Sequence, residues 1–211
     1  MEQRTIWYIL TAVAICGILY LPGRFNYASK HASLSNEAEM PDIYLKNVEH
    51  YINEHSFDRS VYHLQKAIES IRKIEADVDV NSNELLESAV SKLQMVQGEL
   101  LADSLVTEDM LHAFEYSLNA LARTELKVSE MYAKTNRRDL AILALKHAKL
   151  HLRNAMMFRS SKQDANSVRF QLEKHVFLEL DSLMTNELIS PLQLVDKIDH
   201  IIHEMDQVVS K

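Results

Sequence analysis

From Pro41 to the C-terminus, apolar residues return every three or four positions, the period that gathers side chains along one side of an α-helix. The pattern predicts seven helices, near 41–55, 58–77, 83–103, 107–135, 138–159, 164–187 and 191–209. Pro41 suits a first helical turn, where its missing N–H would lack an intrahelical partner anyway. Asp58, Asn83, Thr107, Asp139 and Asp164 each stand where a side-chain oxygen could cap a new helix, and Ser190 followed by Pro191 is the clearest start signal.

The N-terminus follows a different pattern. Ile6 to Leu21 carry no charge and are closed by Pro22, Gly23 and Arg24. As a helix this run would reach roughly 24 Å, against roughly 30 Å for a hydrocarbon core, and Trp7, Tyr8 and Tyr20 could extend it at the interfaces. It is apolar on every face, so it predicts a transmembrane signal anchor; a cleaved signal peptide is the alternative. A lipoprotein signal at Cys16 would need a small residue where Ile15 stands, and no convincing small-residue cleavage pair follows Leu21. Arg4 on one side and Arg24 with Lys30 on the other leave orientation poorly determined. The short N-terminal flank favours an extracytoplasmic soluble part, periplasmic in a Gram-negative cell. Residues 24–40, with many small polar residues and no sustained period, read as a flexible stalk.

Sliding residues 44–72 by 81 positions onto 125–153 aligns Leu45, Lys46, Glu49, Tyr51, Asp58, Leu64, Ala67 and Arg72 with identical residues at Leu126, Lys127, Glu130, Tyr132, Asp139, Leu145, Ala148 and Arg153. Eight identities exceed the roughly two that average composition would give, which points to an internally duplicated helical hairpin. Leu64, Ala67 and Ile71, like Leu145, Ala148 and Leu152, form one helical stripe, the small alanine letting a neighbouring helix approach.

The order Tyr51, Ser60, Leu64, Ala67, repeated as Tyr132, Ala141, Leu145, Ala148, resembles part of a tetratricopeptide repeat over roughly 41–74 and 122–155. The resemblance implies a similar way of packing helix pairs. It departs from that family at Val48, where a small residue is expected three places before the tyrosine, and between the hairpins, where no repeat is in register.

Composition narrows the picture further. Only 3 Gly and 3 Pro occur, too few for the tight turns of a sheet protein. A net charge of -7 without a basic stripe argues against nucleic acid. Cys16 is the single cysteine, so the remainder can hold neither a disulfide nor a thiolate metal site. The fold class expected is therefore all-α: an antiparallel bundle of about seven helices with a duplicated, tetratricopeptide-like hairpin, preceded by a transmembrane anchor. The domains read as 1–23 anchor, 24–40 stalk, 41–106 first helical unit, and 107–211 second unit with the C-terminal helix.

Among 10 histidines two groups have metal-ligand spacing. His147 and His151 are four apart on one helix, at the edge of an apolar arc, where packed histidines at a helix seam compete with metal ligation. Asp196, His200 and His203 share a face of the last helix opposite its apolar side, either a surface zinc or copper site or an ordinary wet face. No phosphate-cradling glycine loop, haem motif or nucleophile elbow occurs, so neither catalytic residues nor a cofactor are expected. These features predict a non-catalytic scaffold or adaptor, membrane-held through residues 6–21, that binds another protein or a further copy of itself. The alternative is a histidine-based metal or small-ligand binding bundle.

Overall fold

The computed structural model describes residues 37–74, 79–159, 167–186 and 188–210. Among them every regular element is a helix: α1 (37–53), α2 (Phe57–Ile74), α3 (Val80–Leu101), α4 (Thr107–Lys134), α5 (Arg138–Phe158), α6 (Val168–Thr185) and α7 (Pro191–Val209). The apolar segment Ile6 to Leu21 lies outside the described residues, and no described helix is long and apolar enough to cross a membrane.

Helix starts differ from several expectations. The helix already runs through 37–40, residues assigned to the stalk, so Pro41 sits within α1 rather than at its head. Ala38 and Pro41 are both buried, so tertiary packing holds the turn that the proline weakens. At α3 the cap is Asp79, not Asn83: its Oδ1 accepts from the N–H groups of Asn81 and Ser82, each at 3.1 Å. Thr107 and Asp139 lie just inside their helices, where Val106 and Arg137 hold the cap positions without a side-chain bond. Asp58 lies in the first turn of α2, where its negative charge favours the helix dipole. Asp164 is outside the described residues, and Ser167 caps α6 instead. Ser190 behaves as read, forming a reciprocal capping box with Gln193 ahead of Pro191.

Two apolar cores share α4. Leu45, Leu64, Ile71, Leu86, Leu93, Phe114 and Leu118 build the first, closed by Phe158, whose ring meets Phe114 edge-on at 5.3 Å. Leu126, Leu145, Leu152, Leu180, Ile198 and Met205 build the second. Because α4 runs through both, with α3, α5 and α7 against it, it buries polar residues on most sides, among them Ser117, Asn119, Arg123, Thr124 and Ser129.

The two hairpins singled out by the 81-residue displacement close through the same turn. Ser56 N–H donates to the Tyr51 carbonyl and Arg137 N–H to that of Tyr132, both at 2.8 Å; His55 N–H to Ile52 and Asn136 N–H to Ala133 both measure 3.0 Å. His55 and Asn136 both stand at φ 57°, in the left-handed region. An arginine covers each tyrosine ring, Arg59 at 5.5 Å from Tyr51 and Arg137 at 5.1 Å from Tyr132. Leu45, Leu64, Ala67 and Ile71 are fully buried, as are Leu126, Leu145, Ala148 and Leu152.

Candidate functional site

His147 and His151 face inward from α5. The His151 ring is wholly enclosed, its Nδ1 2.6 Å from Oδ2 of Asp42 on α1. Asn154 donates to the other oxygen of Asp42 at 2.6 Å and accepts from the Lys46 ammonium at 2.9 Å. Burial alone would push the His151 ring below its usual pKa, yet the charge and hydrogen bond of Asp42, with Glu125 and Glu39 nearby, hold it above. Burial would raise Asp42, but His151, Asn154 and Lys46 hold its carboxyl below the usual range. His147 Nδ1 lies 3.8 Å from Glu125 on α4. This array buries Asp42, His147, His151 and Asn154. It ties α1 to α5, with Asp42 as the group that meets the ring.

A second buried charge holds α4 in place. Arg123 donates from Nε to Asp206 on α7 at 2.9 Å and from Nη1 to Ser82 on α3 at 2.7 Å. A third set gathers where α4, the end of α5 and α6 meet. Arg159 bonds Glu115 and lies 2.6 Å from Glu173, while Asn119 donates to Glu173 at 3.0 Å. Burial raises the Glu173 carboxyl above its usual value, and Glu115 adds to the rise against the pull of Arg159. All three sets join helices, the role of buried polar groups that fix one packing arrangement.

The outer face of the α1–α2 hairpin is different in kind. His63 lies at its centre, stacked on Tyr51 at 5.1 Å, tilted against Tyr44 at 5.9 Å and edge-on to Tyr62 at 5.3 Å. His50 meets the other side of Tyr51 at 5.2 Å, and the Lys66 ammonium sits 5.8 Å from the Tyr62 ring. Tyr62 is 58% exposed. His63 Nδ1 is buried without a hydrogen-bond partner, and desolvation holds the ring below its usual pKa. Tyr44, Tyr51 and His63 are half-buried, so the face is partly open. Of these residues only Tyr51 stands out in the sequence, as a matched position of the two hairpins; the Tyr62-His63 pair on the helix that follows it was the further signal available.

Asp196, His200 and His203 are all exposed on α7. The nearest carboxylate oxygen to His200 belongs to Glu204, 3.7 Å from Nε2. Glu204 also meets His175 of α6, whose Nδ1 lies 3.0 Å away, and Glu179 stands one turn after His175, 3.9 Å from Nε2. The hydrogen bond that the His175 ring donates to the Glu204 carboxylate holds its pKa above the usual value. Among the described residues, His175, Glu179 and Glu204 are the group whose ligand atoms converge within 4.8 Å. The signal was legible as two His-x-x-x-Glu pairs, 175–179 and 200–204, but that they face each other depends on how α6 packs on α7.

No family model matches the chain, and no curated protein and no solved structure is similar to it.

Proposed function

We propose that the protein is a non-catalytic helical scaffold, built from a twice-used hairpin with tetratricopeptide-like packing, that holds a partner protein on the outer face of α1–α2. The observation that carries this reading is a correspondence between the two hairpins. Glu125, His147, His151 and Asn154 form the face on which the second hairpin receives α1, and all four are buried. Their counterparts 81 residues earlier are Tyr44, Lys66, Ser70 and Lys73, which are half-buried or exposed. The first hairpin thus carries the docking side of the repeat with no described helix filling it. In stacked helical repeats each unit packs on its neighbour through such a side and a terminal unit ordinarily closes it with a polar outer face, whereas here the half-buried Tyr44 and the exposed Tyr62 remain on it.

The chemistry of the face selects an acidic helix. On the second hairpin the incoming α1 brings the carboxylates of Glu39 and Asp42 towards His151. On the first, Lys66 and Lys73 hold the corresponding positions; Lys66 lies 5.8 Å from the Tyr62 ring and is paired with Glu69 at 2.8 Å, so a carboxylate of the partner would take the place of Glu69 on it while apolar side chains meet the rings. In this reading the run 6–21 keeps the scaffold at a membrane, on the extracytoplasmic side, where it presents the face to a neighbouring membrane or periplasmic protein.

A photo-crosslinking residue placed at Tyr62 in the full chain, in native membranes, tests the proposal against the same residue at Asp196. The expected result is one discrete adduct from position 62 that disappears with K66E/K73E and is absent from position 196. Equal labelling from both positions, or none from 62, would refute the reading. An adduct of twice the chain mass would make the occupant a second copy.

A further inference from the structure

We propose that the α6–α7 hairpin carries a zinc-class cation site formed by His175, Glu179 and Glu204, with His200 completing the set. Each helix contributes a histidine and a glutamate one turn apart, so their side chains leave the same face. The two pairs meet across the seam through Glu204, which is only 15% exposed and lies between both rings, 3.0 Å from His175 and 3.7 Å from His200. A tetrahedral ion with bonds of about 2.0–2.2 Å sets its ligands roughly 3.3–3.6 Å apart. With one donor atom from each, the ligand atoms of His175, Glu179 and Glu204 lie within 4.8 Å of one another, so rotamer changes at these solvent-reached side chains would draw them in to that spacing around one centre.

Donor chemistry argues for zinc over the harder cations. Imidazole nitrogen with carboxylate oxygen suits zinc, whereas magnesium and calcium take oxygen donors almost alone. With neutral rings the two carboxylates supply a charge of -2, and the Lys197 ammonium in the neighbouring recess offsets one unit, which leaves the site attractive to a dication. That recess, of about 140 Å³, is lined by Glu179 and His200 together with Ser182 and Asn186. It leaves room for a water ligand, and the cation would staple α6 to α7. The inference is independent of the scaffold reading, since it concerns the opposite end of the chain and requires no protein partner.

Equilibrium dialysis of the full chain against zinc sulfate, after chelation and at neutral pH, provides the test. One zinc per chain is expected, with a dissociation constant on the order of 10 µM or tighter. H175A and E204Q should each weaken binding by about tenfold or more, since each removes a ligand. D196N and H203A, on the same exposed helix but outside the set, should leave it unchanged. All four substitutions fall on solvent-reached side chains, and circular dichroism verifies that each variant remains helical. Absence of saturable binding at about 100 µM zinc would overturn the site. So would binding that survives both H175A and E204Q, or that falls equally with H203A.

Discussion

The two hairpins share one backbone and differ in what surrounds it. Each has the same turn, a left-handed residue at the matched place and the same buried stripe, and in each an arginine covers the matched tyrosine, although Arg59 and Arg137 come from different positions of the unit. Yet α4–α5 lies at the centre, with α3, α6 and α7 packed against it, and its docking face has become a buried polar array. The face of α1–α2 stays partly open and carries rings and lysines. On the duplication proposed above, a repeated unit keeps the residues that make it fold, while its outward positions follow the neighbour each copy meets. Asp42 and Arg123 illustrate this. They occupy equivalent positions with opposite charge, both are buried, and each ties its own helix to a different partner.

That pair offers the strongest way to break the comparison. Asp42→Ala leaves His151 and Asn154 enclosed without the carboxylate both contact, and removing one partner of a buried ion pair costs about 3–5 kcal/mol. Arg123→Ala releases Asp206 and Asp79, which already reach solvent, so the expected loss is smaller, about 1–2 kcal/mol, arising mainly from the enclosed bond to Ser82. Urea unfolding of both variants checks the order. Equal losses would mean that the two charges are held alike and that exposure of the partners does not decide the outcome.

A smaller effect separates the hairpins by pH. His151 has a folded-state pKa above its unfolded value of about 6.5, so its contribution to stability is complete below that value and is lost as pH rises through the raised pKa. His63 is shifted the other way, so its contribution is present above its unfolded value and is lost as pH falls through the lowered one. Between pH 6 and 9, therefore, the urea midpoint of the native chain should fall more than that of His151→Gln. Below pH 6 the native chain should lose stability that His63→Gln retains. Parallel curves for native chain and His151→Gln above pH 6 would remove the charged state assigned to the Asp42–His151 pair.

Much of this architecture could be read from the chain because it rests on local rules. Apolar period located all the described helices, Ser190 with Pro191 and Gln193 carried a complete start signal, and the displacement of 81 residues paired the stripe Leu45, Leu64, Ala67 and Ile71 with four positions that are as fully buried. What escaped is set by partners distant in sequence. Asn119, Arg123 and Thr124 look like a solvent face of α4, and their burial follows from partners on other helices, Glu173 of α6 for Asn119 and Ser82 of α3 with Asp206 of α7 for Arg123. Asp79 precedes the first residue expected to be helical, so Asn83 was the nearer cap candidate, although Asp79 has the N–H groups within reach. The same limit applies to metal ligands. Asp196, His200 and His203 share a helix face, but converging donors come from α6 and α7 together.

The smallest predicted effect asks whether the shared turn carries strain in both copies. His55 and Asn136 each hold φ 57° at the helix end, where glycine is the usual residue because a Cβ crowds the left-handed conformation. Left-handed geometry costs an ordinary residue about 1–2 kcal/mol, while glycine adds about 0.5–1 kcal/mol of unfolded-state entropy to be overcome. His55→Gly should therefore stabilise the chain by about 0.5–1 kcal/mol. Asparagine tolerates the left-handed region better than histidine, so Asn136→Gly should gain less, a few tenths of a kcal/mol. Thermal midpoints of the two variants decide it. A loss on His55→Gly would mean that the histidine's ring, 6.4 Å from that of Phe57, contributes more than its backbone conformation costs. The first hairpin's turn would then belong, with Tyr51 and His63, to its outward-facing aromatic surface rather than to the framework common to both copies.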